Sequence, residues 1–187
     1  MNVYDFDKTV FYPDSSACFF LYCLRKHPLK VIPVLPKSLV VFLRYKRGHC
    51  GAGALKEQLF SYLPGIGDID GLVRRFWSSH KKGLLPWYLR QKRGDDLIIS
   101  ASPAFLLRPI VRELGVRLIA TQMDEKTGRI RGENCHDTEK VTRFLAAYPG
   151  ERIEAFYSDS LSDAPLAALA EEAWLVDKGA LTPWPKH

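Results

Sequence analysis

Val3-Tyr4-Asp5-Phe6-Asp7-Lys8-Thr9 sets two carboxylates two residues apart, directly after a short apolar run near the start of the chain. If that run is a strand, side-chain alternation sends Asp5 and Asp7 to the same face. Two like charges that close repel strongly, so the pair makes sense around a cation or with one member protonated during chemistry. The segment reads as an active site at the end of a strand. For an isolated D-x-D-x-T the competing reading is an ordinary strand that ends in a polar turn.

Three further segments, in order, weigh against that reading. Leu97-Ile98-Ile99-Ser100-Ala101-Ser102-Pro103 is an apolar run ending in hydroxyl residues ahead of a helical pattern. A buried parallel strand of this kind delivers a small donor to the carboxyl edge of a sheet, where open α/β folds bind ligands. The helix that follows offers free N–H groups suited to a phosphate. Gly132-Glu133-Asn134-Cys135-His136-Asp137-Thr138-Glu139-Lys140-Val141 then places Lys140 in the opening of a helix, and in Ala155-Phe156-Tyr157-Ser158-Asp159-Ser160-Leu161-Ser162-Asp163 a strand again ends in carboxylates. Taken singly, Ser100 is a strand-end serine, Lys140 a solvated helix lysine, and Asp159 with Asp163 a helix cap and a first-turn acid. Their agreement in order and spacing favours a joint catalytic reading.

Together the four segments resemble the ordered signature of the haloacid dehalogenase (HAD) superfamily phosphatases, subfamily IB of the phosphoserine phosphatase type, over most of the chain. That resemblance implies an α/β fold: a HAD-like Rossmannoid doubly wound parallel sheet with a helical cap inserted after the first strand. It implies a phosphoric monoester hydrolase that works through an aspartyl phosphate. By the same resemblance Asp5 is the nucleophile, Asp7 protonates the leaving oxygen and then activates water, and Ser100 and Lys140 hold the phosphoryl oxygens. Mg²⁺ would be bound by the Asp5 carboxylate, the Asp7 carbonyl and Asp159, with Asp163 as a further acid or a water-mediated ligand and Thr9 stabilising the loop. Lys8 stands where many members have Gly, and Ser158 where Gly often precedes the metal-binding Asp.

Hydrophobic periodicity lays out the rest. From Leu97 onward, strands and helices alternate: a strand over 97–100, a helix over 104–114, a strand over 116–120, and a hairpin near Asp124 to Gly128. A helix over about 138–147, a strand over 153–157, a helix over 163–170 and a last strand over 173–176 follow. This alternation predicts a parallel, doubly wound sheet carrying Asp5, Ser100 and Asp159 on its carboxyl edge. The tail at Thr182-Pro183-Trp184-Pro185 has no decisive reading. Between Asp14 and Arg93 the pattern turns helical, with Leu55, Leu59, Tyr62 and Leu63 on one helical face and Leu72, Phe76 and His80 on another. The domain expectation is therefore a catalytic core from residues 1–13 and 94–187 and a helical cap at 14–93.

At 187 residues, 47% hydrophobic and 26% charged, the chain can bury one good core with a modest appendage. Cys18, Cys23, Cys50 and Cys135 show no C-x-x-C spacing, so a zinc site or disulfide framework is not expected. No signal peptide or transit sequence is readable, and cleaving one would remove Asp5; the expectation is a cytoplasmic protein, with peripheral contact at the inner membrane face left open.

Charge is uneven. Residues 25–93 hold 15 Lys or Arg against 3 Asp or Glu, and the remainder 12 against 18, for a net charge of +6. A positive cap draws anionic substrates or an anionic membrane surface, unless it is only a solvated basic face. Within it, 27–47 joins apolar residues to flanking cations but is interrupted by Pro33, Pro36 and Lys37, too often for a transmembrane helix. The segment suits either a membrane interface or the core of a small cap.

That segment, with Arg25-Lys26-His27-Pro28-Leu29, Lys46-Arg47-Gly48 and Tyr157-Ser158-Asp159-Ser160, resembles the phosphatidylglycerophosphatase C-like members of the family. This implies a phospholipid headgroup as substrate, namely phosphatidylglycerophosphate. A soluble phosphorylated small molecule such as phosphoserine or a sugar phosphate is the alternative, and a phosphotransferase of the same fold is another. A non-catalytic binding module stands last. No nucleic-acid partner is expected, since no binding motif or series of aromatic platforms accompanies the cations. Composition leaves the oligomeric state open.

Overall fold

The computed structural model describes residues 1–185. Its centre is β1 (Val3–Tyr4), only two residues long, fully buried and flanked on both sides by parallel neighbours. On one side lie β2 (Leu97–Pro103) and β3 (Arg117–Thr121); on the other, β4 (Ile153–Ser158), β5 (Ala170–Asp177) and β6 (Ala180–Pro183). The order is β3-β2-β1-β4-β5-β6, parallel except for the antiparallel edge pair β5–β6. The chain fills one side of β1 and then the other, so the order reverses at β1 and opens a crevice beyond its carboxyl end. Asp5 stands at that crevice, and its N–H donates to the Tyr157 carbonyl at 2.8 Å, which extends the pairing with β4 by one residue.

Between β1 and β2 come α1 (Ser15–Lys26), α2 (Pro28–Val31), α3 (Leu35–Lys46), α4 (Ala52–Leu59), α5 (Ile69–His80) and α6 (Pro86–Gln91). Helix α1 starts where the Asp14 side chain accepts the Ala17 N–H, and α5 where Asp68 accepts that of Gly71. Helix α5 buries Leu72, Val73, Phe76 and Trp77 along one stripe, and the Trp77 indole donates to the Leu106 carbonyl at 2.6 Å. Phe19, Phe60, Phe76 and Phe105 stack edge-on and offset within a single apolar cluster that also holds Phe6 and Phe11 of the loop after β1. The inner layer of the insertion thus shares its packing with the sheet.

Two expectations for the insertion change. Leu55 and Leu59 lie on α4, but that helix stops at Leu59, and Tyr62 and Leu63 follow in a tighter turn over Leu63–Gly65. The Pro64-Gly65 pair ends helical propagation there. Pro36 does not interrupt the basic apolar segment: it lies in the first turn of α3, where its missing N–H costs nothing. Among the described residues, no helix is long and apolar enough to cross a membrane.

In the second half, α7 (Ala104–Leu114), α8 (Thr138–Ala147) and α9 (Ala164–Ala167) cover the sheet. Helix α7 closes on Gly115 with φ of 72°, the left-handed turn that glycine takes without strain. Helix α9 is shorter than the expected 163–170, because the backbone from Ala170 onward is taken up by pairing with β4. β6 was not legible at all. It returns on β5 through Lys178-Gly179, both at positive φ, which is the two-residue turn that matches strand twist.

Candidate active site

The loop after β1 folds back tightly, with the Phe6 carbonyl accepting from the N–H groups of Val10 and Phe11 at 2.9 Å each. Lys8 sits at φ of 58°, a strained value for a side chain with a Cβ and the reason glycine suits this position. Thr9 is fully buried under the loop, and its hydroxyl has no partner.

The loop and the carboxyl edge bring two of the expected carboxylates, Asp5 and Asp163, together on the buried Lys140 ammonium. Lys140, in the first turn of α8, places its ammonium 2.7 Å from Oδ1 of Asp5 and 2.7 Å from Oδ2 of Asp163. Ser158 donates its hydroxyl to the same Asp163 oxygen at 2.7 Å. Burial by itself pulls the Lys140 ammonium down, yet the combined attraction of Asp5 and Asp163 holds its pKa above the ordinary lysine value. Burial raises the Asp5 carboxyl to about 7, against the pull of Lys140 and with repulsion from Asp163 and Asp7. Ser100, midway along β2 where its register with β3 begins to shift, accepts the Ser102 N–H at 3.0 Å and is itself buried, which leaves its own hydrogen to donate to a ligand.

Asp7 is held by both oxygens. Oδ1 accepts the Ser15 N–H at 2.6 Å and Oδ2 the Ser102 hydroxyl at 2.5 Å, while Ser16 and Ser15 support Ser102 at 2.9 and 3.2 Å. Burial, then repulsion from Asp14, raises Asp7 to about 6 in spite of these hydrogen bonds. A carboxyl poised there can both give and take a proton near neutrality. Asp159 lies on the far rim, 3.8 Å from the Lys8 ammonium, with its pKa raised by burial against the pull of Lys8.

Sequence reasoning missed Lys56. It projects from α4 into the same cavity, bonding the Ala101 carbonyl and, at 2.7 Å, Oδ1 of Asn134. Both partners are neutral, and burial pulls the ammonium down to about 8 against attraction from Asp7 and Asp14. Nothing in the sequence separates Lys56 from a solvated helix lysine. Ser102, by contrast, stood in the quoted strand end, one alternation beyond Ser100. Cys135 is buried on the Thr121 hydroxyl, and burial pushes its thiol up to about 11, away from reactivity.

Asp5, Asp7, Lys56, Ser100, Ser102 and Lys140 line one cavity of about 680 Å³. Asp5, Asp7, Asp14, Asp159 and Asp163 face Lys8, Lys56 and Lys140 across it, an excess of carboxylate that suits a divalent cation. Among the described residues, no three His, Cys, Asp or Glu side chains form a ready cage. A divalent cation held there would take one or two of these carboxylates and keep its remaining positions for water and substrate oxygens.

A family model described as haloacid dehalogenase-like hydrolase matches residues 3–168. Protein CicA of Caulobacter vibrioides is 27% identical over 190 residues, covering 90% of this chain and 82% of its own. A histidinol-phosphatase of Neisseria meningitidis is 24% identical over 212 residues, covering 96% of this chain and 91% of its own. Among solved structures, a Bordetella pertussis protein superposes with a TM-score of 0.76 at 24% identity, over 92% of this chain and 87% of that one.

Proposed function

The chain belongs to the haloacid dehalogenase-like hydrolases, and from that premise we propose that it hydrolyses phosphomonoesters through a phosphorylated Asp5. The observation that carries this reading is the Asp5–Lys140–Asp163 cluster with Asp7 held beside it by Ser15 and Ser102. Asp5 attacks phosphorus as the bond to the leaving oxygen breaks, and Asp7 gives that oxygen its proton. Asp7 then takes a proton from water, whose oxygen attacks the aspartyl phosphate, releasing phosphate and restoring Asp5. Lys140 balances the charge of the transferring group, Ser100 donates to one of its oxygens, and Asp163 fixes the Lys140 ammonium.

Asp5, Asp159 and the Asp7 carbonyl are the groups that would hold Mg²⁺. The ion would neutralise phosphoryl charge as a Lewis acid. The inserted helices over 14–93 act as the cap that closes the cavity, since Lys56 of α4 reaches Ala101 and Asn134 of the core.

For the substrate, a phospholipid phosphomonoester of the phosphatidylglycerophosphate kind comes first, favoured by the cationic surplus of 25–93. The action would be at the cytoplasmic face of a membrane. A soluble phosphomonoester is the second reading, supported by the histidinol-phosphatase relative. The test is phosphate release with and without Mg²⁺ from phosphatidylglycerophosphate, histidinol phosphate and phosphoserine, with Asp5→Asn as blank. Turnover by Asp5→Asn equal to the wild type would overturn the mechanism.

A further inference from the structure

The catalytic cavity does not end at its polar floor. Its walls pass through Phe20 of α1 and Leu55 and Leu59 of α4, and these three side chains also wall a second groove of about 640 Å³. The far side of that groove is α3, which contributes Leu35, Leu39 and Phe42, one helical face read at steps of four and three. The two spaces therefore adjoin, and the direction from the buried carboxylates to the surface at α3 leads past Phe20, Leu55 and Leu59 into a mainly apolar groove that Ser38 also lines.

The surface it reaches is unusual for a chain that folds by burial. Leu39, Val40, Phe42 and Leu43 all stand exposed on α3, with Leu39 at 60% and Val40 at 56% of their free accessibility. Isolated exposed apolar residues need no explanation, but a run of them on one helix marks a contact. Their only charged companions on the helix and its exit are Lys37, Arg44, Lys46 and Arg47, and no Asp or Glu occurs anywhere from residue 15 to residue 56. Long cationic side chains that flank apolar ones suit a ligand whose hydrocarbon is accompanied by negative charge.

We propose that the groove between α1, α3 and α4 is a subsite for the hydrocarbon tail of an amphiphilic phosphomonoester, whose phosphate lies against Asp5. The proposal rests on the phosphomonoesterase reading above and adds the place in the fold that holds the substrate's hydrocarbon. Polarity is divided along that direction as such a molecule requires: lysines and serines surround the phosphate, and Phe20, Leu55 and Leu59 meet the first methylenes. Leu35, Leu39 and Phe42 then hold the tail. A small polar metabolite would leave those last side chains in water and gain nothing from them.

The experiment is a chain-length series of straight monoalkyl phosphates, from ethyl to decyl, each below its critical micelle concentration. Phosphate release is measured with wild type, Leu39→Asn and the Asp5→Asn blank. In the wild type kcat/KM rises by about fourfold for each methylene that enters the groove, mainly through KM, and the decyl-to-ethyl ratio falls at least tenfold in Leu39→Asn. Turnover of every member with no dependence on chain length would overturn the tail subsite while leaving the phosphomonoesterase intact. No turnover of any member above the Asp5→Asn blank would overturn the phosphomonoesterase reading itself. A flat series together with a wild-type dimer by sedimentation that Leu39→Asn dissociates would also overturn the subsite, and would assign the groove to a second copy of the chain.

Discussion

Lys140 of α8 bridges Asp5 and Asp163 at 2.7 Å on each side, although Asp5 follows β1 and Asp163 lies in the turn after β4. All three are nearly sealed from solvent, so the ammonium is the one positive charge in contact with two buried carboxylates. Removing one partner of a buried pair leaves an uncompensated charge, which costs about 3–5 kcal/mol. Lys140→Met is expected to lose that much stability at pH 8 by urea unfolding and to lower kcat by at least about 10²-fold. The stability loss should shrink at pH 5, where the orphaned carboxylates can protonate.

The cation-free protein should be less stable at pH 8 than at pH 5 on account of Asp5 and Asp7. Their folded pKa values, about 7 and about 6, lie above the unfolded value near 4. The folded state therefore binds more protons in that window, and stability falls as pH rises from about 4 to about 7, by on the order of a few kcal/mol. Adding Mg²⁺ at pH 8 is expected to raise Tm, and Asp5→Asn to raise Tm in EDTA. Differential scanning calorimetry across pH checks both, and a Tm in EDTA that increases steadily from pH 5 to pH 8 would contradict the assignment.

Ser102 lowers the Asp7 pKa through its hydroxyl. Ser102→Ala should therefore move the alkaline limb of the kcat profile to higher pH and reduce kcat by about tenfold, whereas Asp7→Asn removes the limb and costs about 10²–10⁴-fold. A Ser102→Ala profile that only scales down, with its limb unmoved, would make Ser102 a packing residue.

Lys56 is a half-buried lysine whose ammonium has neutral hydrogen-bond partners and faces the cavity. An incoming phosphomonoester would give it an anionic partner, a contact stronger than those it makes now. Lys56→Met should raise KM about tenfold with a smaller effect on kcat, and wild-type KM should rise above about pH 8 as Lys56 loses its proton. Because the substitution removes a desolvated charge whose hydrogen-bond partners are neutral, Tm should not fall. A large fall in Tm with KM unchanged would make Lys56 a latch between α4 and the core.

The four motif segments made the sheet and much of the polar site legible because each couples a local period to a chemistry. Strands β2 and β4 and helices α7 and α8 lie within a few residues of their expected bounds, since continuous apolar runs and amphipathic stripes are local signals. Strand β6 was invisible because Ala180-Leu181-Thr182-Pro183 has no alternation to read; its register comes from the Lys178-Gly179 turn and from β5. The fate of α4 was equally hidden, since a helical stripe continues past Leu59 on paper and is broken by the turn at Leu63–Gly65.

What the sequence determined by itself is which residue types stand where: carboxylates at strand ends, a lysine at a helix start and a basic insertion follow from residue type and spacing along one chain. What only the tertiary structure decided is which groups share a space. Asp5 and Lys140 are 135 positions apart, Asp7 and Ser102 95, and Lys56 and Asn134 78. The depressed Lys56 ammonium, the doubly held Asp7 and the mainly apolar groove from Phe20 to Leu39 arise from burial and contact between distant segments. Periodicity reports which face of an element is apolar, and packing alone decides what that face meets.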